Sequence, residues 1–198
     1  MNERTFKLQI DFIEPLLGSQ PTKDIATEFL AKKSGFETIP EDEIETLPEA
    51  LERGTTVFHR NSSGNPILYD YQVKGFLKNS GKVQNGQVYG GIKNLRSKVN
   101  DLIFISPRQL RLHLPDGGEM TYLERSLRAE TAQGPRVALA RSEMLPEGTW
   151  FKCGLTLLGE AISEEALRDI LSYGYYQGIG QWRSGGYGKF IYKLEPEE

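Results

Sequence analysis

The sequence predicts an α+β fold, and three stretches carry that prediction. Phe6, Leu8, Ile10 and Phe12 alternate with Lys7, Gln9 and Asp11, the period of two that marks a strand with one buried face. The same alternation returns after Trp150, where Phe151, Cys153, Leu155 and Leu157 share a face. A helical pattern and a last strand follow. Ser163 stands as N-cap, Glu164 and Glu165 fill a first turn that favours negative charge, and Ala166, Leu167, Ile170, Leu171 and Gly174 lie on one face. Phe190, Tyr192 and Leu194 then alternate with Ile191 and Lys193.

Between these stretches the chain is less regular. After the first strand Pro15, Gly18 and Pro21 stop regular structure, and Thr22 or Asp24 opens a helix through Ile25, Ala26, Phe29 and Leu30 that closes near Gly35. Residues 37–52 hold seven acids, no Lys or Arg, and two prolines, and read as an exposed excursion with at most one short helix. Such an excursion is a solvated linker, or else it repels nucleic acid or docks on a basic partner. Thr55 to His59 reads as a short strand, and Asn61 to Pro66 as a turn or a disordered loop.

From Ile67 to Lys78 the apolar spacing fits either a strand followed by a helix start, with Asp70 as N-cap, or one irregular helix. Gly75 inside it is less favourable than Ala by about 1 kcal/mol in a helix, which implies a close approach there. Gly81 to Gly91 carries four glycines and reads as a turn-rich link; Leu102 to Ile105 reads as a short buried strand, and Arg111 to Leu114 as another. Residues 122–130 and 137–144 lack a clean period and are broken apart by Gly134-Pro135, before a turn with Pro146 at its second position. The ends thus read strand, helix and strand, helix, strand. That order is close to a split βαβ arrangement, a ferredoxin-like (RRM-like) βαββαβ plait with inserted loops or a thumb-like middle segment.

Composition narrows the classes. A chain of 198 residues with 38% hydrophobic residues suits one well-packed domain with insertions, and no apolar run approaches the roughly 20 residues of a membrane span. Met1 to Thr5 shows no basic region leading into an apolar core, so no secretion signal is expected. One cysteine, Cys153, precludes an internal disulfide, and its alternation with core residues predicts a buried, inert thiol. Two histidines offer no metal-ligand cluster, so neither metal nor cofactor is expected. A cytoplasmic setting without membrane is the simplest fit.

The formal net charge of −3 argues at first against nucleic acid, but the charge is unevenly spread. Seven acids sit in 37–52 and three more in the tail, whereas Lys74 to Arg111 holds eight bases and one acid, Asp101. The middle of the chain is basic. Those bases grip a polyanion or form a solvated face that balances the protein's own acids.

The densest unusual stretch is Gly178 to Lys189, which holds five of the 21 glycines together with Trp182, Arg183, Ser184, Tyr187 and Lys189. Gly178, Gly180, Gly185, Gly186 and Gly188 could turn backbone amides toward a phosphate, with Arg183 and Lys189 for charge and Trp182 or Tyr187 for stacking on a base. The alternative is a corner loop whose glycines only satisfy turn geometry.

Several of these residues resemble the RAMP superfamily, to which the backbone and guide-processing subunits of CRISPR effector complexes belong. The first strand running into Pro15-Leu16-Leu17-Gly18-Ser19 looks like that family's first strand and loop. Tyr71 to Lys78 resembles its Ser-x-Lys-Gly-x-x-Arg helix start, with Gln72 in place of the small hydroxyl residue and Lys78 in place of the Arg. Glu124-Arg125 and the run Glu143 to Phe151 are similar to its Glu-Arg and Glu-x-x-Pro-x-Gly-x-x-Phe stretches, and Gly178 to Gly188 looks like its C-terminal glycine-rich loop. The resemblance implies a single RAMP-like domain over 1–198, with a plait core at about 5–35 and 100–194 and an insertion at about 37–98.

It also implies a function. The chain would be a single-stranded RNA (guide RNA) backbone-binding subunit of an antiviral CRISPR effector ribonucleoprotein, with Lys74, Lys78, Arg125, Arg183 and the loop from Gly178 to Gly188 on the RNA. Its partners would be other effector subunits or further copies of itself. A second class of function is an interaction protein on the same fold, a mimic that docks on an effector complex. A third is an RNA endonuclease, for which Asp24, His59 and His113 are the weak candidates; an N-cap role competes at Asp24, and a surface or core histidine at the other two. If the loop grips phosphates, Arg183→Ala combined with Lys189→Ala weakens the binding of many RNA sequences alike in a gel shift.

Overall fold

The computed structural model describes residues 2–21, 55–131 and 134–197, and of 127–131 and 134–139 the backbone alone. The expected helix opened by Thr22 or Asp24 and the acidic excursion lie outside the described residues. In chain order the strands are β1 (Glu3–Phe12), β2 (Leu16–Leu17), β3 (Gln20–Pro21), β4 (Thr55–Val57), β5 (His59–Arg60) and β6 (Pro66–Tyr69). Helices α1 (Asp70–Val83) and α2 (Leu95–Leu102) follow, then β7 (Ile103–Ser106), β8 (Gln109–Arg111), β9 (Thr121–Thr131), β10 (Gly134–Leu145) and β11 (Trp150–Leu158). Helix α3 (Glu164–Ser172) and β12 (Phe190–Pro196) complete this mixed α+β fold of largely antiparallel sheets and few helices.

The principal sheet has the strand order β12-β1-β11-β7, every pair antiparallel. Its register aligns the apolar alternation read from the sequence: Leu8 faces Cys153 and Leu194, and Ile10 faces Phe151 and Tyr192. Paired residues share a face, so the sheet acquires one continuous apolar side. Helix α1 meets it with Val73, Phe76, Leu77, Ser80 and Gly81, a stripe at helical spacing, and α3 with Ala166, Leu167, Ile170 and Leu171. Phe190 stands among Phe12 at 6.2 Å and Phe76 at 4.9 Å, both edge-on, the arrangement that ring quadrupoles favour. The buried Ser80 hydroxyl donates to the Ile170 carbonyl at 2.8 Å and ties α1 to α3.

Two smaller sheets flank this core. β5, β6 and β8 form one, all antiparallel. In the other, β10 pairs with β9 along its length and with the short β2 and β4, and β4 with β3. The irregular stretches on either side of Gly134-Pro135 are therefore the two arms of a hairpin. Its root is fixed by the buried Glu143, whose carboxylate accepts from the Phe58 amide at 2.8 Å and from Arg60 at 2.6 Å.

Several expectations are met at residue level. Ser163 caps α3, accepting from the Ala166 amide at 3.1 Å. The 61–66 segment is an ordered turn in which Asn61 Oδ1 accepts from the Ser63 and Asn65 amides. Of the two readings of 67–78, the strand followed by a helix is the one found.

Others are corrected. The N-cap of α1 is Tyr69, not Asp70, because pairing of β6 with β8 keeps Tyr69 extended, and Gln72 Oε1 accepts from its amide at 2.8 Å. Leu102 closes α2 instead of opening the next strand, and that strand is only partly buried, with Phe104 50% exposed. The segment from Ile67 to Leu102 supplies Leu68, Val73, Phe76, Leu77, Leu95 and Val99 to the main core. Gly75 has no close neighbour among the described residues, where an added Cβ would meet nothing within 4 Å.

Among the described residues no helix is long and apolar enough to cross a membrane. Cys153 lies in the core with its thiol pushed up to about 12 by burial. We therefore expect a maleimide or disulfide reagent to leave the native protein unmodified and to react stoichiometrically once denaturant unfolds it; rapid native labelling would contradict this packing.

Candidate functional site

Helix α1 has a second face. Gln72, Gly75, Asn79 and Lys82 recur at three- and four-residue spacing, and together with Phe76 and Lys78 they form one wall of a cleft of about 420 Å³. Arg96 of α2 and Ser19 of the loop after β2 border it, and Ile179, Gly180 and Arg183 of the glycine-rich stretch close the other side. Four cations thus converge, and among the described residues no carboxylate lines the cleft. Among the described residues none of the four has an ion-pair partner. Lys82, Arg96 and Arg183 are exposed and Lys78 is half-buried, so the charges face solvent within reach of a ligand.

The wall opposite α1 is held by main chain. Gly188 donates to the Pro15 carbonyl at 2.9 Å, Ile13 to Lys189 at 2.9 Å, and Ile179 to Gly188 at 3.0 Å. The two ends of the loop touch so closely that a Cβ on Gly178 would lie 2.1 Å from the Gly188 carbonyl carbon, and one on Gly188 1.9 Å from the Ile179 oxygen. At the loop's tip Gly185 and Gly186 donate to the Trp182 and Arg183 carbonyls. The amides of Ile179, Gly185, Gly186 and Gly188 are thus engaged inside the chain, which corrects the expectation of a glycine amide cradle along the loop. Gly178 and Gly188 serve close backbone packing, and the loop's contribution to the cleft comes through Ile179, Gly180 and Arg183.

The remaining predicted residues divide. Lys78 and Arg183 line the cleft. Lys74 points away: its ammonium donates to the Val99 carbonyl at 2.8 Å and to that of Ile103, satisfying carbonyls at the end of α2. Burial first, and Lys78 second, hold its pKa below the usual lysine value, against the raising effect of Asp101. Arg125 stacks on Trp182 with its guanidinium carbon 4.1 Å from the ring, and Tyr187 stacks on the same indole at 5.1 Å. Trp182 is 40% exposed but already in contact with two planar groups. Gln181 anchors the loop from the other side, accepting from the Thr56 and Ser142 hydroxyls. Lys189 does not line the cleft.

The histidines lie elsewhere. His59 packs edge-on against Tyr69 at 4.7 Å, and His113 stacks on Trp150 at 4.2 Å. Both pKa values are held below the ordinary histidine value, first by burial and at His113 also by Arg111 and Lys152. Neither lines the cleft, and Asp24 lies outside the described residues. Sequence reasoning passed over Ser19, Gln72, Asn79, Lys82 and Arg96 as site residues. The signal for four of the wall positions was present, because 72, 75, 79 and 82 share one helical face. Arg96 carried no local signal, since only the packing of α2 on α1 brings it there.

No family model matches the sequence, and no curated protein does. Among solved structures, a chain of the Type III-B Cmr-beta, determined by cryo-electron microscopy bound to cognate target RNA, is similar in fold. The TM-score is 0.54 at 10% identity, over 98% of this chain and 61% of that chain. At that identity the likeness is one of fold.

Two glycines give opposite expectations. Gly75→Ala is expected to stabilise the protein by about 1 kcal/mol through helix propensity, because nothing obstructs the added methyl group. Gly188→Ala, at a φ of +69° and against the Ile179 carbonyl, is expected to destabilise by at least ~2 kcal/mol. Urea denaturation of both variants checks the pair.

Proposed function

We propose that the cleft holds the sugar-phosphate backbone of a single-stranded RNA, and that the chain is an RNA-binding subunit of a CRISPR-type effector ribonucleoprotein. The observation that carries the reading is the convergence of Lys78, Lys82, Arg96 and Arg183 on one cleft, with no carboxylate among its described lining residues. Cations so arranged attract a polyanion whatever its sequence, as backbone-directed recognition requires. The cleft volume of about 420 Å³ has room for a short stretch of open strand. A net charge of −3 does not oppose this, because exposed charges beyond a Debye length of roughly 8–10 Å are largely screened.

The architecture supports the same reading. Numbered among themselves, the four strands of the principal sheet run in the order 4-1-3-2, with α1 and α2 between the first and second and α3 between the third and fourth. We read this as a ferredoxin-like plait, and the chain as a RAMP-type protein. The similar structure belongs to a CRISPR effector bound to RNA, in keeping with RNA and effector subunits, or further copies of this chain, as partners. His59 and His113 lie apart from the cleft, so neither is placed to act on a strand held there.

Fluorescence anisotropy with labelled single-stranded RNA of mixed sequence tests the proposal. With four cations on the backbone, the logarithm of the binding constant should fall against the logarithm of salt with a slope of roughly −3. Lys82→Ala, Arg96→Ala and Arg183→Ala should each weaken all sequences alike and reduce that slope by roughly 0.7. Adding Lys189→Ala to Arg183→Ala should change little. Absence of RNA binding at low salt, with retention of the protein by a basic protein partner, would overturn the reading in favour of a docking module.

A further inference from the structure

We infer that Asn79 makes the cleft selective for ribose over deoxyribose, an inference that rests on the RNA-binding reading above. The argument is one of donors and acceptors. Lys78, Lys82, Arg96 and Arg183 can only donate, and they suit phosphate oxygens, which only accept. Among the lining side chains, a ligand group that must donate finds its partner at the uncharged ones, Ser19, Gln72 and Asn79.

Two of these are engaged. Gln72 Oε1 accepts from the Tyr69 amide at 2.8 Å, and Ser19 Oγ accepts from Gln72 Nε2 at 3.2 Å. Asn79 differs, because its Nδ2 donates to Gln177 Oε1, which fixes the amide and leaves Oδ1 as its remaining polar atom. Among the described residues nothing donates to that oxygen. Asn79 sits one helical turn from both Gly75 and Lys82, on the face of α1 that lines the cleft.

A nucleic-acid backbone carries one donor suited to such an acceptor, the ribose 2′-hydroxyl, which is also the group that distinguishes RNA from DNA. Phosphates on the surrounding cations bring the sugars between them alongside α1. Asn79 Oδ1 then accepts from a 2′-hydroxyl. With deoxyribose the same oxygen loses its partner as the cleft is occupied, so the discrimination comes from an unpaired acceptor as well as from a lost hydrogen bond.

The test uses the full chain and three probes of one base sequence: RNA, 2′-O-methyl RNA and DNA. The methyl ether keeps the 2′ oxygen and removes its proton, so it isolates donation from sugar shape. The native protein should bind RNA about three- to tenfold more tightly than either other probe, the range expected for one neutral hydrogen bond. Asn79→Ala should bring the RNA and DNA affinities together, lowering the first and, because the acceptor that deoxyribose leaves unpaired is gone, raising the second, whereas Lys82→Ala should lower all three alike.

Equal binding of RNA and 2′-O-methyl RNA by the native protein overturns the assignment without any variant that must fold. An equal loss of all three probes in Asn79→Ala overturns it as well, and leaves the RNA-binding reading standing. Failure of every probe to bind at low salt removes that reading, and this one with it.

Discussion

The close passage of the backbone at Gly178 and Gly188 is the constraint on which the cleft depends. Three main-chain hydrogen bonds gather Ile13, Pro15, Ile179, Gly188 and Lys189 into one knot of backbone at the end of β1 and the start of β12. Side chains at the two glycines would force this knot apart. The loop that starts there carries Arg183 to face α1, and its far side is held by Gln181 on Thr56 and Ser142. A wall built from paired backbone amides is stiff, and a stiff wall holds a cation in position at little entropic penalty when a ligand arrives.

Helix α1 forms the other wall, and its two faces do different things. One inserts Val73, Phe76, Leu77, Ser80 and Gly81 into the core; the other presents Gln72, Gly75, Asn79 and Lys82. Because the buried face is locked to α3 through Ser80 and to α2 through Lys74, the exposed face has no freedom to rotate. Gly75 fits this division. It weakens the helix slightly and leaves the floor of the cleft open where any side chain would narrow it.

Charge and fold act at different ranges. The net charge describes the far field, which salt screens, whereas recognition occurs where ligand and side chains touch. There the local composition is four cations and three uncharged polar side chains. Several bases outside the cleft are engaged in structural tasks: Lys74 on helix carbonyls, Arg60 on Glu143, Arg168 on Glu164, Arg125 on Trp182. Within the basic middle of the sequence Lys74 serves the scaffold while Lys78, Lys82 and Arg96 line the cleft, a difference that a residue count does not reveal.

What could be read from the chain alone was whatever depends on near neighbours. The alternations of β1, β11 and β12, the Ser163 cap of α3 and the burial of Cys153 follow from period and propensity, and they stand in the structure. The two arms of the β9–β10 hairpin escaped notice because their charged and apolar residues do not alternate cleanly, and pairing with each other holds them. Among the site residues Lys78 and Arg183 were legible, while Lys74 and Lys189 carried the same charge and turned elsewhere. Strand order, the fate of the glycine amides, and the meeting of Ser19, α1, Arg96 and Arg183 were settled only in three dimensions. Periodicity reports which side of an element is apolar; which groups from distant segments share a cleft depends on packing and hydrogen bonding between elements, and no local pattern encodes it.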